Sequence, residues 1–537
     1  MKELPLNGFY SEESRKLSDR RCINFIPTVS DAGALSSLSL MPTTGLENYG
    51  DITVNSSLLG SSAQAITSQV FNFKTIQGGL SAVFVVVDRV FFVDGFGGLT
   101  IKDYPNPAGY PLPIRASYTR MATDGFRCLI CAPSSGTGNS RDRAVYFEND
   151  LSAAGVGIDT ATIFNQADAE LTDVAYLGGR FLYLSSQVTI AGFNRVFYSD
   201  IGTVEPVALN FFAPNNLNSQ LVGMEVLNDR LYLFSSEKGY IYSVTSSVDT
   251  PFIKNGELEY GLLNSFSKCV YLDSLAGVFK EKGGALFVGL ITGAGIKKIS
   301  TRAIDQRIFN AFQDDTNFGP ERRTRLFTFM DNGRSFLCLT SPEFTFVYEA
   351  ASGLWHERKT LRDGDLYSLL GGRNNWQYIG ALEYDADFLK SSYFIGDTIE
   401  TVDLPTNQFR VPISKVNTNI GTEDGELIER TLISSPFNEN NNRMVLDEVQ
   451  PQCEVDFTTP IDGWSDPKIN LSVSNDFGNS FDGERSLGIG PSGNYSNETR
   501  FLGIGYFMQA FTLKLRTINP YPTRIIKLLA RVTGGSF

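Results

Sequence analysis

A chain of 537 residues is longer than one ordinary core can serve, so it must divide into domains or repeats. Its 42% hydrophobic and 20% charged content is that of a folded chain, and at a mean hydropathy of -0.10 no apolar run approaches the ~20 residues of a membrane helix. The net charge of -13 argues against gripping nucleic acid, because that affinity comes from Lys and Arg displacing counterions.

Composition favours strands. Forty Phe and 22 Tyr fall in short aromatic or β-branched runs, which end among 50 Gly and 22 Pro, so an all-β fold is expected. The first residues, Met1-Lys-Glu-Leu-Pro-Leu-Asn-Gly8, hold no apolar export core, which predicts folding in the cytosol. Six Cys, at 22, 128, 131, 269, 338 and 453, have no framework spacing and are expected to stay reduced. Residues 1–70, rich in Ser, Thr, Gly and Asn, predict an extended arm or irregular lead-in that orders on a neighbour.

From about residue 80 to 400 one pattern recurs: an apolar run, a polar or glycine turn, then a second apolar run. It is read in Met121–Cys131, Val174–Leu184, Met224–Phe234, Val278–Val288 and Leu326–Leu339. The turns centre near Gly125, Gly179, Asp229, Gly284 and Asn332, at spacings of 54, 50, 55 and 48 residues. Each is a hairpin signal, usually followed by a further short strand. Any all-β chain has turns, but here the same residue types return in the same order. Three to four strands every ~50 residues is the arithmetic of a propeller blade. With hairpins at Val83–Asp94 and Trp376–Glu400, residues 71–401 predict a β-propeller of about six or seven blades.

Within that stretch the chemistry is sparse. Cys128 and Cys131 have metal-ligand spacing, yet residues three apart in a strand face opposite ways, so no zinc site is expected. Gly95–Gly98 and Gly289–Gly295 lack the lysine and helix of a phosphate loop and read as turns. Ser300–Phe312 is the best helical candidate. Arg20-Arg21 and Glu321–Arg325 are short basic runs without interleaved aromatics, better suited to a solvated face or a subunit contact than to a single-strand groove. The one histidine, His356, rules against His-based triads and multi-His metal centres; beside Trp355 it is expected to be a hydrogen-bonding residue.

Residues 402–443 read as a polar loop, broken most clearly at Asn438–Asn442. Beyond it, 444–537 alternates strands and turns, as a separate sandwich or as completion of the propeller sheet. Here Ser474-Asn-Asp-Phe-Gly-Asn-Ser-Phe481 is similar to the Asp-box turn of sialidases. In it Asp476 would accept turn N–H groups, Gly478 would supply an unusual backbone angle and Phe481 would pack into the sheet. That turn is structural, so no catalytic, cofactor or metal residue is assigned and no enzyme is expected. The competing classes are a glycan-degrading or glycan-binding propeller, with acids and Arg in a pocket on the blade axis, and an elongated fibre adhesin.

Four segments together resemble the packaged DNA stabilization proteins of short-tailed phages. The opening, Leu4–Tyr10, Arg21–Pro27 and Leu40–Leu46, is similar to a polar arm followed by "IN-aromatic-x-P" and "TPGL" elements, with Ile26 and Thr44 as departures. Lys298–Ile308 resembles an "IST-x-AIE-x-x-I" run through Arg302 and Asp305, the latter in place of Glu. Trp355-His356-Glu357-Arg358 is close to a "WHER" signature, and Leu471–Gly503 resembles a C-terminal block that contains Asp476, Gly478 and Phe481. The resemblance implies a virion protein, made in the host cytoplasm and present as a six-fold ring of identical subunits below the portal and its adaptor. Such a hub would retain packaged DNA, receive a tail needle or plug, carry fibres or spikes, and pass DNA through its lumen without reading sequence. An acidic lumen would keep DNA from sticking, although acidity also serves solubility.

Overall fold

The computed structural model describes all residues except 7, 12–18, 31–33, 56–67, 77–78, 87–88, 94–98, 104–118, 133–142, 149–150, 152, 159–169, 187–193, 215–218, 294, 315–323, 342, 361–377, 387–388, 397–407, 439–442, 456–463, 465, 491–497 and 535–537. The turns that punctuate the repeat are left-handed, as their residue types require. Gly125 and Gly284 each have φ of 90°, and the pairs Gly178-Gly179, Asn228-Asp229 and Asn332-Gly333 have both residues at positive φ. Two left-handed residues in succession make the hairpin turn whose twist matches that of paired strands.

Among the described residues these hairpins extend into seven sheets in chain order. Six span 71–103, 120–158, 170–212, 221–258, 261–298 and 325–357; the seventh is built on 378–417. Neighbouring sheets cover both faces, so a central strand such as Leu80–Val86 is buried at every position without alternation. Each sheet packs on the next through its own apolar cluster, for example Val83 and Phe92 against Ile130 and Phe147. The circuit closes where Phe84 and Phe91 of the first sheet meet Ile395 and Val411 of the seventh. This is a β-propeller. Cys128 and Cys131 point into the clusters on opposite sides of their blade, as the strand geometry demands.

The seventh blade takes its fourth strand from far upstream. Gly45–Asn55 pairs antiparallel with Gln408–Asn417 along its whole length. The expected lead-in at 1–70 is therefore corrected. Most of its described residues lie in strands, and Leu4, Leu6, Phe9, Cys22, Phe25, Ile26, Leu40 and Leu46 are buried. Each short strand contributes a few apolar residues to a core built mostly by others, so its composition looks polar. The expected loop at 402–443 is corrected likewise: Gln408–Asn417 and Glu429–Ile433 are strands, while 439–442 lie outside the described residues. The helix falls at Arg302–Asp314.

The C-terminal block forms a sandwich, completed by N-terminal strands. One sheet runs Phe25–Val29, Leu38–Pro42, Thr523–Gly534, Met444–Val455 and Phe501–Phe507, with Lys2–Leu4 added on Thr523–Gly534. The other contains Asp19–Ile23, Glu429–Ile433, Thr512–Ile518, Lys468–Ser474 and Arg485–Gly488. Leu4, Phe25 and Leu40 share its core with Met444, Leu471, Phe511 and Leu528. The second sheet does not stop at the sandwich edge. Ile23 pairs in parallel with Glu357, so it continues into the sixth blade.

Candidate functional site: the joint between propeller and sandwich

The bridge at Ile23 sets up a buried polar joint, and Asn24 is its pivot. Asn24 has φ of 55°, a left-handed angle that Asn tolerates because its short amide can bond locally. Its Nδ2 donates to the carbonyls of Lys359 (2.7 Å) and Glu429 (2.8 Å), and its Oδ1 accepts from the Lys359 N–H at 3.0 Å. Its backbone N–H donates to the Glu357 carbonyl (2.9 Å), and its own carbonyl accepts from the Thr43 N–H (3.1 Å). One side chain thus ties the N-terminal segment to the sixth blade and to the sandwich.

The "WHER"-like strand, Leu354–Glu357, lines the joint. Trp355 is buried beside Ile304 and Phe9; its Nε1 donates to Ile299 O at 2.9 Å, and its carbonyl accepts from the Phe9 N–H at 2.7 Å. Glu357 receives Arg21 at both oxygens, 2.6 and 3.3 Å, the two-pronged geometry that suits guanidinium and carboxylate. Arg358 is buried over the Phe329 ring. Around it lie Asp331, which accepts from the Thr44 hydroxyl, and Glu423, which accepts from Thr360 at 3.1 Å. Burial pushes the Asp331 carboxyl up and the Arg358 guanidinium down. Arg430, fully buried, donates to Thr43 O at 3.3 Å, and burial, then Arg358, lowers its pKa to about 9.

His356 corrects an expectation. It is 1% exposed, neither ring nitrogen has a hydrogen-bond partner, and it sits edge-on to Phe336 at 6.2 Å. Burial, then Arg358, holds its pKa well below 6.5, so the neutral ring fills space. The side of the strand that Trp355 leaves to His356 is the apolar cluster of Phe336, Cys338 and Val347, which offers no partner.

The other signature residues sit elsewhere. Arg302 begins the helix, and Asp305 anchors it by accepting from Ser300 Oγ at 2.5 Å and pairing with Lys298. Asp476 closes the turn after Lys468–Ser474: its Oδ2 accepts from Ser480 Oγ (2.6 Å) and its Oδ1 from the Ser480 N–H (2.9 Å) and Ser474 Oγ (2.7 Å), and these bonds, the Ser480 hydroxyl first, lower its pKa to about 2. Gly478 has φ of 88°. Phe481 is half-buried beneath Lys514, not packed deep in the sheet. The run Arg20-Arg21 faces inward contacts, Gly8 O and Glu357, and Arg325 is buried over Phe266; 321–323 lie outside the described residues. Sequence reasoning quoted Asn24 and Thr44 inside motifs without a role and missed Arg430 and Asp331. The available signal was a polar residue held between apolar neighbours, Ile23-Asn24-Phe25.

A propeller laced by remote strands to a sandwich through a buried polar joint defines a two-part all-β protein. Residues 139–371 match the family model described as bacteriophage P22 Gp10, beta-propeller, and 429–533 match its companion, bacteriophage P22 Gp10, beta-sandwich. The two matches follow the two halves of the fold and together cover more than half of the chain. The chain belongs to this family of phage packaged DNA stabilization proteins of the head-to-tail hub. No curated protein matches. Among solved structures, an acylaminoacyl peptidase of Pyrococcus horikoshii is similar at 8% identity and a TM-score of 0.33, covering 71% of this chain. The chain spans 59% of that peptidase's length.

Proposed function

We propose that the protein is the repeating subunit of a six-fold ring at the phage tail hub, set below the portal and adaptor. The ring retains packaged DNA, forms part of the ejection channel, receives a needle or plug and carries fibres or spikes. The joint supports this reading: a two-part body held by buried polar bonds behaves as one block, and rings close through repeated contacts between such blocks. The signature residues Trp355, Glu357, Arg358 and Asp305 act structurally, and the net charge of -13 suits a wall past which DNA slides.

The reading is non-catalytic. The single histidine is buried, and Asp173 and Glu225, acids on first strands of the third and fourth blades, are each bonded by Lys268 at 3.0 Å. The deciding measurement is the mass of the purified protein in solution, alone and with its portal–adaptor complex. Assembly into a defined six-fold ring on that complex is expected. A persistent monomer that does not associate with it would overturn the proposal.

A further inference from the structure

A four-stranded antiparallel blade places two of its turns on one face of a propeller: the turn between its first and second strands and the turn between its third and fourth. In this chain those turns are apolar at their tips. The first blade carries Ile76 there, the second Phe126, the third Ile201, the fourth Val248 and the fifth Leu272. All five are exposed, Ile201 at 70% and Val248 at 82%. On the opposite face, the described turns at 236–238 and 281–285 carry no exposed large apolar residue.

The tips form one arc, because neighbouring turns touch. The Ile76 N–H donates to the Gly125 carbonyl at 3.4 Å, and Arg127 Nη2 donates to the Gly202 carbonyl at 3.1 Å. A Cβ on Gly178 would meet Val244, at the start of the turn that holds Val248, at 2.9 Å. The arc ends at the sixth blade, where the chain's own N-terminal segment covers the same face. There Thr44 donates to Asp331, and Arg334 Nη1 donates to Thr28 Oγ1 at 3.0 Å. This face therefore already binds protein at one blade.

Leu272 argues that the apolar tips serve a partner. Its φ of 53° lies in the left-handed region, and its side chain is 58% exposed. Gly or Asn would hold the turn between Tyr271 and Ser274 without that strain, and a polar side chain would suit solvent better. Strain held at an exposed apolar residue points to recognition, as does a row of such residues along one face. Charge indicates the kind of partner. Glu205, Asp229, Asp249 and Asp273 stand exposed on the same turns without an ion pair, against two unpaired cations, Lys74 and Arg230. With its net charge of -13, a further copy of this chain is a poor match for such a rim.

We propose that the turns of the first five blades form a docking surface for a basic protein partner. The partner brings apolar side chains to Ile76, Phe126, Ile201, Val248 and Leu272, and Lys or Arg to the acids between them. The inference needs the propeller alone and stands apart from the six-fold ring.

The test uses the full-length protein and two labelled amphipathic helical peptides, one of Leu and Lys and one of Leu and Glu, read by fluorescence anisotropy. The Leu/Lys peptide should bind and the Leu/Glu peptide should not. I201S combined with V248S should raise its Kd at least about tenfold. D229N with D249N and D273N should raise it about tenfold at low salt and hardly at high salt. L209S, which changes an exposed leucine on the outer strand of the third blade, should leave it unchanged. L272N should weaken binding yet raise resistance to urea, because Asn accepts the left-handed angle. Equal behaviour of the two peptides, absence of binding included, or arc variants that bind like the wild type would overturn the docking surface. Self-association of the wild type in sedimentation, or flotation with phosphatidylcholine vesicles, that I201S with V248S abolishes would overturn it too, by giving the arc to a second copy or to lipid.

Discussion

Replacing Asn24 by Ala is the sharpest probe of the joint. The change removes three side-chain hydrogen bonds, at 2.7, 2.8 and 3.0 Å, and strands the carbonyls of Lys359 and Glu429 and the N–H of Lys359 in a buried setting. A buried group left without its partner costs ~1–3 kcal/mol. Alanine at φ of 55° adds about 1 kcal/mol of backbone strain that Asn tolerates. Allowing for partial relaxation, the total is about 3–6 kcal/mol. N24G deletes the same bonds but accepts the left-handed angle, so it should be less damaging than N24A by about 1 kcal/mol. Urea unfolding followed by fluorescence and by near-UV circular dichroism reads both variants. An N24A protein within about 0.5 kcal/mol of wild type would refute the claim that this amide holds the two domains together.

His356 predicts a pH dependence. Burial and Arg358 depress its folded pKa, so the native state binds fewer protons than the unfolded chain below the ordinary value of 6.5. The stability from the neutral ring is full above that pH and drains away as the pH falls below it, at up to ~1.4 kcal/mol per unit. H356L should flatten this slope between pH 7 and 5 in urea titrations; an unchanged slope would assign it to other groups. E357Q weakens the paired bonds from Arg21, and because Arg21 is partly exposed the expected loss is about 1–2 kcal/mol by thermal or urea unfolding. Deleting residues 1–55 removes the fourth strand of the seventh blade and three strands of one sandwich sheet. That protein should bind a hydrophobic dye and lose its sharp unfolding transition, whereas a soluble, cooperatively folding product would contradict the lacing.

What was legible in the sequence was local. Gly125, Gly179, Asp229, Gly284 and Asn332 mark turns because a tight hairpin needs left-handed residues, and those residue types adopt that angle at little cost. The Asp476 turn was legible for the same reason, since its bonds to Ser474 and Ser480 span only a few residues. The strand at Gly45–Asn55 was not, because its partner lies at Gln408–Asn417 and nothing in either segment encodes that distance. Asn24 and Arg430 have the same limit, as their partners belong to three remote segments. His356 was misjudged because a polar ring was assumed to want a polar partner, while its neighbours across the sheet, Phe336 and Val347, are apolar.

Lys2, Glu3 and Leu4 pair with Ala530, Leu529 and Leu528. A ribosome adding ~5–20 residues per second makes the second of these segments roughly half a minute to two minutes after the first. Throughout that interval Leu4, Leu6, Phe25 and Leu40 have emerged, but the sandwich core that will cover them has not. The nascent chain therefore carries these uncovered apolar residues until the segment around Leu528 has been made. Its yield in the cell should depend on whatever chaperones shield those residues, more than on the speed at which any single blade closes.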